Sequence, residues 1–469
     1  MEGLQLAGLI VALVVGAGAI LGGIWRGGLW VVRRFRPSPA GPQSTTQSQV
    51  IVQDPKTSGT TVINVYGGTV NYYADGLPQA APQVRDRCEE GRKLQDAHRH
   101  DQAIAQLEAA LAAADTDSRR GALLLNIGIS HYLSGRLVQA QGSYTQALTL
   151  FQAAGDDEGE AAALGNLGLV YADTGDLDTA ESHHSRALEI FGRIGNPVGQ
   201  ANELGNLGNV YLDRGELDRA EEHYRRALEI ERRVDDPHGQ ATALGNLGLV
   251  YAHRRDLKRA EKHHKQALDI FRRIDAPLGQ ADVLINLGNV YRGRGDVGSA
   301  EEHYAQALDI FRRIGDPLGA ANALGSLGLV YAARGDLDRA KEHYRQVLEI
   351  DDRFPSALNR ANTLTALGNV YADRGDLIRA EEHYEQALEI HRRMGNLLGQ
   401  AQDLYNLGLL AARRGQPDEA RRLLTEALSL SDRIGASGAG PDAVRAALRR
   451  LGEAGGEEKP RRRARRRKE

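Results

Sequence analysis

Residues 201–240 read ANELGNLGNVYLDRGELDRAEEHYRRALEIERRVDDPHGQ, and the same phrase returns on both sides at a spacing of 40 residues. Leu204 falls in line with Leu164, Leu244, Leu284, Leu324, Leu364 and Leu404, and Gly208 with Gly168, Gly248, Gly288, Gly328, Gly368 and Gly408. Tyr211 and Ala220 have counterparts in the same way. Such a period predicts a solenoid, because a single unit cannot bury its apolar face without a neighbour. Inside the quoted unit Leu204, Leu207, Gly208 and Tyr211 share one face of a first helix, and Ala220, Tyr224, Ala227 and Leu228 one face of a second. Gly215 between them suits a left-handed helix stop. The next residue, Glu216 here, is Asp176, Asp256, Asp296, Asp336 or Asp376 elsewhere, a preferred helix N-cap. Gly195-Asn196-Pro197 and Gly315-Asp316-Pro317 supply a stop, a cap and a first-turn proline between units.

The pattern Leu207-Gly208-x-x-Tyr211, Gly215, Ala220-x-x-x-Tyr224-x-x-Ala227 resembles the helix-turn-helix of the tetratricopeptide repeat (TPR) family. The 40-residue spacing and Gly205-Asn206-Leu207-Gly208-Asn209-Val210-Tyr211 are similar to the longer-helix subclass found in Pins-type G-protein-signalling modulators and kinesin light chains. The resemblance covers residues 84–436 and implies an all-α, right-handed α-solenoid of about nine helix pairs. Departures are local: His98 and Arg255 stand where glycine is usual, Ala411 and Leu424 replace tyrosines, and Arg353-Phe354-Pro355-Ser356 predicts an irregular junction. Residues 437–453 read as a capping helix over the last apolar face and 454–469 as a disordered basic tail.

The repeat also carries polar rows. Asn126, Asn166, Asn206, Asn246, Asn286 and Asn406 precede the repeated Leu-Gly, interrupted by Ser326 and Ala366. Asn209, Asn289 and Asn369 form a second row, and Asn202, Asn322 and Asn362 a third. In the resembled subclass, matching asparagines line the concave groove and hold the backbone of an extended peptide. An amide suits that task, offering a donor and an acceptor without a charge. The competing assignment is that the same amides tie neighbouring repeats together. Asp173, Asp213, Asp282 and Asp373 share the groove with few cations, Arg292 and His253 among them, which favours a peptide with some Lys or Arg, or a helix with a basic edge. The row His183, His223, His263, His303, His343 and His383 places one imidazole per unit beside Glu and Arg, which is not the convergence a metal requires. No phosphate loop, zinc spacing, nucleophile elbow or isolated acid/base pair breaks the period. The sequence therefore predicts no catalysis and no cofactor.

Outside the array, Leu4 to Trp25 is uncharged and long enough to span a bilayer, at ~1.5 Å per residue against a ~30 Å core. Arg26, Arg33, Arg34 and Arg36 follow it and only Glu2 precedes it. The charge bias predicts a single-pass anchor with the array in the cytoplasm. Gly18 and Gly22, with Ala19 and Gly23, form small-residue faces that favour pairing of two such helices. Residues 26–83 read as a basic juxtamembrane segment and flexible linker. Two β-prone runs at 60–66 and 69–73 flank Gly67-Gly68 there, a hairpin signal. A lone hairpin is marginal in water, so an extended linker is the preferred expectation. The total charge of -3 conceals +3 on residues 1–36, +5 on 457–469 and -11 between. The basic tail has no aromatic residue for base stacking, which argues against nucleic acid and leaves a solvated tail or an anionic membrane. Cys88 is the single cysteine and cannot form an intrachain disulfide. The predicted function is a membrane-anchored, non-enzymatic scaffold binding a protein or peptide in its groove. The alternatives are a self-assembling protein using the repeats as rigid spacers, with homo-oligomers formed through anchor and hairpin, and a sensor module for a separate enzyme.

Overall fold

The computed structural model describes residues 60–65, 68–73, 82–96, 99–353, 356–433 and 439–456. The chain divides at Leu324 into two compact units. The first begins with strands β1 (Thr60–Val65) and β2 (Gly68–Tyr73). Its helices are α1 (Pro82–Asp96), α2 (His100–Leu111), α3 (Asp117–Leu133), α4 (Leu137–Ala154), α5 (Asp157–Thr174), α6 (Leu177–Arg193), α7 (Pro197–Arg214), α8 (Leu217–Arg233), α9 (Pro237–His253), α10 (Leu257–Arg273), α11 (Pro277–Gly293) and α12 (Val297–Ile314). Helix α13 (Pro317–Ala333) crosses the division, and the second unit continues with α14 (Leu337–Arg353), α15 (Ala357–Asp373), α16 (Leu377–Arg393), α17 (Leu397–Arg413), α18 (Pro417–Arg433) and α19 (Ala439–Gly456). Helix α19 thus extends past Glu453 into the stretch read as tail.

The helix ends follow the sequence signals. Asp176, Asp256, Asp296, Asp336 and Asp376 each accept a backbone N–H three residues on, capping the second helices. Glu216, one methylene longer, makes no such bond. Asn196 and Asn396 cap first helices by accepting from Gly199 and Gly399. The turn glycines adopt positive φ, Gly215 at 76° and Gly315 at 73°. Asp235, Arg255 and Asp275 stand at equivalent turns with φ of 55°, 63° and 50°, in a region that costs an L side chain about 1–2 kcal/mol.

Two interlocks hold the pairs. Gly208 lets the Tyr224 ring lie on the first helix, where a Cβ would collide with it. The same slot takes Tyr304 over Gly288, but His184 over Gly168 and His264 over Gly248. Between units, the Phe191 ring sits over Gly199 of the next first helix. Ala220 and Ala227, buried at the crossings, let the helices approach closely. Full burial of a ring such as Tyr224 contributes about 2 kcal/mol.

Residues 60–65 and 68–73 pair rather than remaining an extended linker: β1 and β2 run antiparallel, Thr60 opposite Tyr73 and Val65 opposite Gly68. Strand β2 lies against α3, α5 and α7, which supplies the tertiary support that an isolated hairpin lacks. Among the described residues no helix is long and apolar enough to cross a membrane. The span expected at 4–25, the junction residues Phe354 and Pro355, and the basic run 459–468 lie outside the described residues.

Candidate peptide-binding trough

Successive first helices touch one another, α3 with α5, α5 with α7 and α9 with α11, so they form the inner wall of the first unit. In the second unit α15 and α17 do the same. The asparagine row before the repeated Leu-Gly lies on this wall, but its members differ in exposure. Asn126, Asn166 and Asn206 are 1%, 0% and 1% exposed, whereas Asn246 and Asn286 are partly open. The buried three belong to the helices beneath β2. Helix α5 is buried continuously from Ala161 to Val170. Asn166 and Asn206 are engaged in contacts, while Asn246 and Asn286 make no hydrogen bond with the described residues.

The second row is bonded within its own helix pairs. The hydroxyls of Tyr224, Tyr304 and Tyr384 donate to Oδ1 of Asn209, Asn289 and Asn369, each at 2.7 Å. These amides satisfy a buried phenol within their own helix pair, and the 15-residue separation carries the bond from second helix back to first. In the second unit Asn406 Nδ2 donates to the same Asn369 oxygen at 3.4 Å, and Gln402 donates to Asn406 at 3.1 Å. Asn406 therefore ties neighbouring units as well.

On the first unit's open stretch, the wall presents Thr242, Asn246 and Leu249 from α9 and Asp282, Asn286 and Arg292 from α11, all half-buried, with His253 exposed. Arg292 Nε also donates to the Tyr304 hydroxyl at 3.3 Å. Donors, acceptors and one charge of each sign thus stand in rows one repeat apart. Asp213, beside the covered stretch, is nearly buried, and Asp373 is exposed, with local desolvation raising its carboxyl above the usual range.

The outer polar residues serve the stack. Tyr211 donates to Glu181 at 2.6 Å, Tyr251 to Glu221 at 2.5 Å and Tyr291 to Glu261 at 2.8 Å, each joining one repeat to the one before. Arg214, Arg254 and Arg294 add guanidinium bonds to the same three carboxylates. Burial and the Glu181 carboxylate push Tyr211 up to about 12, and Lys265, Tyr291 and Arg294 pull Glu261 down to about 2. In the histidine row, Nδ1 of His183, His223 and His303 lies 2.7–2.8 Å from the carbonyl four residues earlier, and the rings stack on Tyr171, Tyr211 and Tyr291 at 4.8–5.1 Å. These imidazoles are engaged locally, each within its own repeat.

Two further pairs went unrecognised in the sequence. His184 Nδ1 meets Glu203 Oε2 at 2.7 Å, and His391 Nδ1 meets Asp403 Oδ2 at 2.7 Å, with all four side chains buried. His264, equivalent to His184, faces the repeat in which Val283 replaces the glutamate, and burial holds it down to about 3, hence neutral. Each pair is marked by two departures from the period: a histidine at a ring position and a carboxylate at a small apolar position of the next repeat.

An all-helical stack of paired helices with an inner wall of first helices defines a solenoid of the interaction-scaffold type. Tetratricopeptide repeat models match residues 88–140, 119–193 and 200–273, and a model of the MalT-like TPR region matches 247–447. The chain is a tetratricopeptide repeat protein. It is similar in fold to a Rap protein in complex with competence and sporulation factor, at 16% identity and a TM-score of 0.51 over 80% of this chain and 99% of that one. It is likewise similar to aspartyl phosphate phosphatase F of Bacillus subtilis, at 11% identity and a TM-score of 0.51 over 77% and 97% of the respective chains. No curated protein matches the sequence. Repeats of this family are typically non-enzymatic interaction modules.

Proposed function

We propose that the protein is a membrane-anchored scaffold that captures an extended peptide or a helix of a partner protein on the open stretch of its inner wall. The observation that carries this reading is the pair Asn246 and Asn286, one repeat apart, partly exposed and without a hydrogen-bonding partner among the described residues. An amide that is partly exposed and unpaired can meet a peptide unit with both its donor and its acceptor. Asp282 favours a ligand with a Lys or Arg near that contact. The fold is shared with a Rap protein that was crystallised in complex with competence and sporulation factor, which supports a role in binding a partner. The anchoring half of the proposal rests on the uncharged run Leu4–Trp25 and the four arginines behind it.

The test is partner capture by the full chain and by Asn246→Ala/Asn286→Ala, with crosslinking and mass spectrometry to identify the bound protein. The double variant is expected to lose capture at least tenfold with helicity and melting unchanged. Undiminished capture rejects the trough. Separately, an alkaline carbonate wash should leave the chain in the membrane fraction, and its release by the wash rejects the anchor.

A further inference from the structure

Strand β2 lies along the row of first helices α3, α5 and α7, with no comparable contact to α9 or α11 among the described residues. The asparagines at equivalent positions are sealed at 0–1% exposure on those three helices and partly open on α9 and α11, where the hairpin is absent. Residue type and repeat position are the same on both stretches of the first unit, and β2 lies over the sealed one. The covering segment, Thr60–Tyr73, contains no charged residue and is built from Thr, Val, Ile, Asn, Tyr and Gly. It has the character of an extended, uncharged peptide with amides at intervals, which is one of the ligand types that the wall suits. It is also tethered, since only residues 74–81 separate β2 from α1. A tether this short gives the hairpin a millimolar effective concentration over the wall.

We propose that the hairpin Thr60–Tyr73 is a built-in occupant of the trough, closing the stretch over α3, α5 and α7 to any other strand until it is displaced. The inference rests on the trough being a peptide-binding surface. A partner engages α9 and α11 first, and one long enough to continue along the wall has to displace β2. The chain therefore has a closed state of limited reach and an open state with the whole inner wall of its first unit available. A docked tethered segment lowers the affinity of a competitor by the factor 1 + Kocc, with Kocc its own docking constant.

The test uses the full chain and a fluorescent synthetic peptide of residues 60–73. In an antiparallel pair, opposed residues alternate between bonded and non-bonded positions, so Val62→Pro/Ile63→Pro removes a ladder donor in either register. The variant is expected to bind the free peptide at least tenfold more tightly than the unmodified chain, with helicity retained. Equal binding by both chains overturns the proposal, as does binding by neither. If the proline variant lost helicity, hydrogen exchange on the unmodified chain would decide instead. Amides of 60–65 and 68–73 are expected to be protected at least tenfold over free-chain rates, and free-chain exchange overturns the proposal. The outcome is separable from that of the trough reading. A proline variant that gains peptide binding while Asn246→Ala/Asn286→Ala retains its partner sustains the hairpin as occupant of the covered stretch and rejects α9 and α11 as the capture site. The reverse result rejects only the occupant.

Discussion

Helices α5 and α9 belong to repeats of nearly the same sequence, yet α5 is buried on all sides over Ala161–Val170 whereas α9 keeps Thr242, Asn246 and Leu249 partly open. Within an array, the repeat sets the wall and an element outside it sets which part of the wall is reachable. The contrast has a boundary: α7 lies beneath β2 and α9 keeps its asparagine open, with Glu231 at the seam between α8 and α9.

The comparison is broken most directly by a charge. Asn166→Asp places a carboxylate at a fully buried site and should cost about 3 kcal/mol at pH 8. Asn246→Asp, at the same repeat position beyond the hairpin, should stay within about 0.5 kcal/mol. Denaturant melts of both variants check this, and equal losses would place the cause of burial in the repeat itself.

The seam supplies the next largest effect. Where Phe191, Phe271 and Phe311 fill the junctions of other units, Glu231 is buried, and burial with Asp236 nearby pushes its carboxyl up to about 8. A folded pKa above the unfolded value of about 4.5 means that the native state holds the proton more tightly. Stability should therefore fall as pH rises from about 4.5 to 8. Glu231→Phe should remove that slope and add about 1–2 kcal/mol at pH 8, read from melting temperature against pH. Glu261, within the open half, works in the opposite sense. Its carboxyl is held down to about 2, so its contribution is complete above pH 4.5 and is lost as pH falls towards 2. Glu261→Gln should flatten the acid limb of the same profile. The smallest effect is Arg255→Gly, which relieves a φ of 63° at the turn behind α9 and should raise stability by about 0.5–1 kcal/mol.

The caps were legible in the sequence because Asp176 and Gly215 act through neighbours within one turn, and the helix pairs because Leu204, Gly208 and Tyr224 recur together every 40 residues. The candidate site was legible in part. Asn246 and Asn286 lie on the inner wall, but Asn209, Asn289 and Asn369 accept from tyrosines, a bond between two helices that periodicity on either one cannot reveal. The hairpin was readable as a pair of strands, yet its support came from α3, α5 and α7, more than 40 residues downstream, and no local signal encodes that contact. His184 with Glu203 and His391 with Asp403 could have been found by asking which departures from the period occur in twos.

Those two pairs bear on how a chain of look-alike units assembles. Adjacent repeats present interchangeable Tyr, Glu and Arg partners, so a unit could dock against the wrong neighbour with small loss. A histidine that finds a carboxyl group only on α7, or only on α17, acts as an address label: a shift by one unit would set Glu203 against Tyr144 or Tyr224 and deprive its buried oxygens of the imidazole. Near-identical copies are thereby kept in numerical order by two of their least conforming contacts.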